Sequence, residues 1–213
     1  MPSVQMVLAF AVAAVLFTIS PGPSNVYIVT RSLTQGRGAG LVSMAGFAAG
    51  VAVQVVAAAV GLSALLASSA TWFAVVKYLG AAYLIVLGIR TLLTSREHGA
   101  TRPPRPQPLT RICWQGFVVT VLNPKLGLFM LALLPQFVDP ARGSPALQIA
   151  VLGAVLILVG AASDLCYTLL ASTVGNRLRR STRAMRRSRL ASGIVYIALG
   201  IFAAVAGHRP QTA

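Results

Sequence analysis

Long apolar runs alternate with short polar stretches along almost the whole chain. The run from Gly38 to Val76 carries no charge at all. It is too long for one membrane crossing of roughly 20 residues and suits two crossings joined by a tight hairpin. The full pattern predicts six helical spans, with limits near Val4 to Thr30, Gly40 to Leu66, Thr71 to Leu93, Ile112 to Val138, Pro145 to Val174 and Leu190 to Gly207. Ala67-Ser68-Ser69-Ala70 reads as a hairpin, and Asp139-Pro140-Ala141-Arg142-Gly143-Ser144 as a turn. The proline-rich, charged stretch from Thr94 to Thr110 reads as a flexible linker. The expected organisation is a first three-helix unit over 1–93, a linker over 94–111 and a second three-helix unit over 112–213.

Two prolines interrupt the pattern at matching places. Ser20-Pro21-Gly22-Pro23-Ser24-Asn25 lies inside the first run and Leu122-Asn123-Pro124-Lys125 inside the fourth. Proline removes a backbone donor and clashes with the preceding turn, so both helices are expected to break there. Hydrocarbon cannot satisfy the freed backbone groups, so such breaks must be surrounded by protein or by a polar cavity. Paired breaks in corresponding halves are the pattern of a secondary transporter's substrate site.

Composition agrees with a membrane protein. The chain has 213 residues, 56% of them hydrophobic and only 10% charged, with mean hydropathy +0.78. A soluble domain carries about 25% charged residues. The net charge of +15 does not point to nucleic acid, because the basic residues fall between apolar runs: Arg31 and Arg37; Arg90, Arg96, Arg102, Arg105 and Arg111; and a run of arginines from Arg177 to Arg189. These stretches follow the first, third and fifth spans and so share one side. The positive-inside rule makes that side cytoplasmic, against anionic headgroups, with both termini outside. The N-terminus lacks the basic start of a signal peptide and reads as a retained span.

A faint internal repeat supports two halves. Leu87-Gly88-Ile89 matches Leu199-Gly200-Ile201, Ile85 matches Ile197, and Lys77 aligns with Arg189. Three spans per half is an odd number, so the second copy must be inverted in the membrane.

Two charges lie deep in spans: Lys125, directly after the second break, and Asp164, midway along the fifth span. Such charges are costly in hydrocarbon and face a cavity or a partner. One reading is a structural ion pair between them. The other is a site that binds substrate or carries protons, and the two can coexist. Helix N-termini created at Pro23 and Pro124 suit a carboxylate, with Lys125 adding a cation and Asp164 receiving an ammonium or a proton. Asn25 and Asn123 read as cavity groups, while Ser20, Ser24 and Thr120 read chiefly as repair for the broken backbone. Gly46-x-x-x-Gly50 reads as packing within the chain in preference to a homodimer seam. Trp72, Phe73 and Trp114 read as interfacial anchors, Lys77 as a snorkelling side chain.

Cys113 and Cys166 are far apart and read as small packing groups without a disulfide. Neither His98 nor His208 suggests a metal site, and no cofactor or enzyme activity is expected. A thiol carrier would need a cysteine pair beside the breaks. A soft-metal exporter would need thiolates or imidazoles in the spans.

These residues resemble a known family. Pro21-Gly22-Pro23, Asn123-Pro124-Lys125, Leu79-Gly80-Ala81-Ala82-Tyr83-Leu84 with Leu87-Gly88-Ile89-Arg90, and Asp164 are similar to the lysine exporter family, in its homoserine/threonine efflux branch. The resemblance covers essentially the whole chain. It implies export of amino acids or their derivatives across a bacterial inner membrane, driven by protons. It places the site at Pro21, Gly22, Pro23, Asn123, Pro124, Lys125 and Asp164.

Overall fold

The computed structural model describes residues 1–20, 22–68, 70–93, 106–179 and 182–205, all of them in helices or short connections. Pro21, Ser69, most of the expected linker with Arg96, His98, Arg102 and Arg105, and the tail with His208 lie outside the described residues, as do the side chains of Pro23, Trp72, Phe73, Lys77 and the Arg177–Arg189 stretch.

Among the described residues, eight α-helices follow one another: α1 (Val4–Ile19), α2 (Pro23–Gln35), α3 (Arg37–Ser68), α4 (Ala70–Leu93), α5 (Leu109–Val121), α6 (Pro124–Leu133), α7 (Pro145–Arg179) and α8 (Thr182–Val205). Short 3-10 turns at Leu134–Phe137 and Pro140–Arg142 link α6 to α7. Local chemistry sets several ends. Ser3 caps α1 by accepting from the Met6 amide at 3.2 Å. Gly36 ends α2 with φ +82°, a conformation that side chains disfavour, so α3 can start at the next residue. Pro23 and Pro124 each open a helix, where proline's missing N–H is not needed. α5 begins at Leu109, inside the stretch expected to be linker, because the chain leaves its prolines at Pro108 with extended geometry.

Among the described residues, two helices are long and apolar enough to cross a membrane, over Arg37–Gly61 and Pro145–Thr173, or four if each bent pair is one span. The bent pairs are α1 with α2, at 56°, and α5 with α6, at 45°. The outer faces are aliphatic: Val4, Leu8, Val12 and Ile19 on α1, Val53, Val56 and Val60 on α3, and Leu158 and Leu170 on α7 are all exposed.

Between lipid-compatible helices there is little hydrophobic drive to associate, so close van der Waals fit matters most. α3 packs along α5 and α7, and α4 along α8. A Cβ on Gly46 would sit 2.1 Å from the Cys113 carbonyl oxygen, and one on Gly50 2.7 Å from the Thr120 Cβ. The Gly46/Gly50 stripe is thus used inside the chain, to seat α3 against α5. Gly200 does the same for α8 on α4, since a Cβ there would lie 2.8 Å from the Ala81 carbonyl oxygen. An aromatic cluster joins α1 to α6: Phe17 stacks on Phe129 at 3.9 Å between centroids, and Phe10 meets Phe137 edge-on at 5.3 Å. Trp114 is exposed and stacks on Phe117.

Candidate functional site

The two breaks meet. Asn123 Nδ2, at the α5–α6 break, donates to Ser24 Oγ on α2 at 3.3 Å. Lys125, on the first turn of α6, reaches across to the end of α1. There its ammonium donates to the Ser20 carbonyl at 2.7 Å and to the Phe17 carbonyl at 3.3 Å. The rings of Phe17 and Tyr196 flank it at 4.4 and 4.8 Å, within the range of cation–π attraction. An ideal Cβ on Gly22 would lie 3.2 Å from Lys125 Nζ, so the glycine leaves room for the ammonium beside the backbone.

Each break exposes carbonyls whose helical donors are gone, and each is repaired from elsewhere. Pro124 leaves the Thr120 carbonyl without its usual partner, while the Lys125 amide turns to Asn123 Oδ1 and deserts Val121. The Thr120 carbonyl still accepts from the Asn123 amide at 3.1 Å, and Gln54 Nε2, from α3, donates to both the Thr120 and the Val121 carbonyls at 2.9 Å. At the first break Pro23 deprives Ile19, and the Tyr167 hydroxyl of α7 donates to that carbonyl at 2.6 Å. Asn25 Nδ2 serves the Thr18 carbonyl at 3.1 Å. Pro21 would deprive Phe17, whose carbonyl takes the Lys125 ammonium instead.

A cavity of about 70 Å³ opens between the breaks. Gly22, Ser24, Asn25, Thr120, Asn123, Lys125 and Asp164 line it, together with Phe17, Phe47 and Leu126. Of the residues expected at the site, Gly22, Asn25, Asn123, Lys125 and Asp164 therefore share one cavity. Pro23 and Pro124 start the helices that frame it, and Pro21 is outside the described residues. Thr120 Oγ1 is buried on this wall without a hydrogen-bond partner among the described residues, as is the nearby Ser20 Oγ.

Three expectations change. The Lys125–Asp164 ion pair is not formed: the only ion pair among the described residues joins Arg142 to Asp139 at 3.2 Å. The negative end of the α1 dipole and two carbonyls satisfy Lys125 instead. Asp164 faces the cavity half-buried, with no hydrogen bond among the described residues. Secondly, Asn25 and Asn123 repair backbone as well as lining the cavity. Asn123 is the side-chain cap of α6, so the first turn of that helix is already satisfied, whereas α2 has no side-chain cap. Thirdly, Arg31 does not point out to headgroups. It is only 6% exposed, because three glutamine side-chain oxygens take its donors.

Sequence reasoning missed Gln54, Tyr167 and Tyr196. Gln54 had a signal: it is a lone amide in a charge-free run, and an amide in such a place needs backbone partners. The tyrosines had none, since membrane helices carry them for several reasons. Cys113 and Cys166 are both free thiols on different helices, and Cys166 is exposed.

Residues 15–209 match the LysE type translocator family. The chain belongs to that family. It is 32% identical over 199 residues to an uncharacterized membrane protein of Vibrio cholerae, covering 93% of this chain and 96% of that one. It is 29% identical to a homoserine/homoserine lactone efflux protein of Salmonella typhimurium, covering 94% of this chain and 96% of the relative. A leucine efflux protein of Klebsiella pneumoniae is 26% identical, with 92% of each chain covered. No solved structure matches. Membership of a LysE translocator family and the apolar outer helix faces agree: this is a membrane protein whose polar groups gather inside.

Proposed function

We propose that the chain is a secondary transporter that exports amino acids or close derivatives, such as homoserine, threonine or homoserine lactone, across the bacterial inner membrane by proton antiport. One observation carries this reading. The two proline breaks meet around one cavity that holds a buried ammonium, a carboxylate with no ion pair among the described residues, and a helix start without a side-chain cap. That set of groups is complementary to a zwitterion. The α2 N-terminus, at Gly22 to Asn25, receives the carboxylate, with Lys125 beside it. Asp164 receives the ammonium, or a proton when substrate has left. Relatives named for efflux of homoserine, homoserine lactone and leucine support the substrate class.

The proposed architecture is six spans in two inverted three-helix units over 1–93 and 112–213, each with a broken first span. Reciprocity of the repair supports it: Gln54 of the first unit mends the second break, and Tyr167 of the second unit mends the first. Self-pairing of equivalent helices, α3 with α7 and α4 with α8, points the same way. In this arrangement the basic loops face the cytoplasm and both termini lie outside. One unit then rocks against the other around the cavity.

The test is to overexpress the protein and measure which amino acids accumulate in the medium, with and without an uncoupler. Accumulation that the uncoupler abolishes is expected. An unchanged medium, with the protein in the membrane, would refute the reading.

A further inference from the structure

A second polar cluster lies beside the cavity, toward the end of the molecule where α2 finishes and α5 begins. Arg31 is its centre. Its guanidinium donates to Oε1 of Gln35 at 3.1 Å, and of Gln107 and Gln115 at 3.0 Å each. Gln35 and Gln107 also bond reciprocally: the Gln35 amide donates to the Gln107 carbonyl at 2.8 Å, and the Gln107 N–H donates to Gln35 Oε1 at 3.0 Å. The single proton of the Tyr27 hydroxyl is shared between the Ile112 carbonyl and Gln115 Oε1, both at 3.1 Å. These bonds connect α2 to the start of α5 and to the residues just before it.

The cluster is stacked on the cavity. Phe47 forms part of the cavity wall. The Tyr27 ring lies 6.0 Å from the Phe47 ring, and the Arg31 guanidinium lies 5.4 Å from the centre of Tyr27. From the cavity outward the order is Phe47, Tyr27, Arg31 and the glutamines, so the stack leads from the cavity wall to the edge where α2 meets the start of α5.

Its chemistry suits a joint that opens. A buried guanidinium paired with a carboxylate is costly to separate. Here all three acceptors are neutral amides, so parting the cluster strands no buried counter-ion, and water can take over the guanidinium's bonds as it opens. The neighbouring seam is different. α5 sits on α3 by backbone contact, since a Cβ on Gly116 would be 3.0 Å from the Ser43 carbonyl and one on Gly46 would collide with Cys113. α5 is thus fixed to α3 by shape, while this edge of α2 is fixed to α5 by exchangeable hydrogen bonds.

We infer that Arg31, with Gln35, Gln107 and Gln115, is a latch that closes the cavity toward the basic end of the protein, and that it must release for substrate to enter from that side. The inference rests on the proposed transport reading for the substrate that enters and for naming that side the cytoplasm.

Thiol accessibility tests the latch without knowledge of the substrate. Thr120→Cys places a thiol in the cavity wall of full-length protein whose own cysteines are replaced (Cys113→Ala, Cys166→Ala). A membrane-impermeant thiol reagent is applied to right-side-out and to inside-out vesicles. Adding Arg31→Leu is expected to speed labelling at least tenfold from one face only. Gln115→Met, which keeps the arginine, is expected to give a several-fold increase from that same face, and serves if Arg31→Leu does not fold. Arg31→Lys is expected to restore slow labelling in part. No acceleration from either face in a folded variant overturns the latch, and equal acceleration from both faces overturns it as well. Acceleration confined to the periplasmic face supports the latch and overturns the proposed sidedness.

Discussion

The ammonium of Lys125 lies 2.7 Å from the carbonyl oxygen of Ser20, so a cation on the second broken helix terminates the first half of the other. Lysine here is both a strut between the two breaks and a charge on the cavity wall. Lys125→Met keeps the length but leaves the Phe17 and Ser20 carbonyls without a charged donor. Hydrogen bonds to charged groups are worth about 1.5–3 kcal/mol. Export is expected to be lost, and melting of the detergent-solubilised protein to fall correspondingly. Wild-type melting and export in Lys125→Met would remove the residue from both roles.

Gly22→Ala is the smallest change that touches that strut. The added methyl would stand 3.2 Å from both Cδ and Nζ of Lys125. The side chain must shift by a few tenths of an ångström, away from its carbonyl partners. Overpacking of this kind costs roughly 1–3 kcal/mol. Efflux assays should show a several-fold slower rate at normal protein level in the membrane.

Gln54→Leu tests the repair of the second break. It strands the Val121 carbonyl and leaves the Thr120 carbonyl with the Asn123 amide at 3.1 Å as its one donor. Leaving one buried acceptor unsatisfied costs about 1–3 kcal/mol, and polar contacts in membrane proteins often measure near 0.6 kcal/mol. A loss of thermal stability between those figures is expected. Tyr167→Phe, which removes one bond to the Ile19 carbonyl, should cost less than Gln54→Leu.

Asp164→Asn separates transport from coupling. The side chain keeps its shape and its place on the cavity wall but can no longer exchange a proton. Efflux is expected to lose its response to the pH gradient while the protein still reaches the membrane. Retained gradient-driven efflux in this variant would show that the proton travels elsewhere.

Gly46→Leu should prevent folding outright. Even a Cβ would sit 2.1 Å from the backbone oxygen of Cys113, which cannot move aside as a side chain could. Loss of membrane-inserted protein on a blot is the expected readout, against near-normal levels for Gly61→Leu, whose site has open space.

The amino-acid sequence by itself determined where helices run and where they break. Long apolar runs leave a backbone no alternative to helix in hydrocarbon, and proline's missing donor acts on its own four-residue neighbourhood. Hence both breaks, at Pro23 and Pro124, and the depth of Lys125 and Asp164 were legible without coordinates. Partners were not. Whether Lys125 meets Asp164 or the end of α1, whether Arg31 faces headgroups or three glutamines, and which distant side chain mends each break all depend on which helices lie side by side. That is decided by close packing over glycines such as Gly46, Gly50 and Gly200, a property of surfaces in contact. Residues such as Gln35 and Gln107, or Gln54 and Thr120, are remote along the chain, so no local pattern joins them. Only the fold turns their separate polar groups into a cavity wall and a latch.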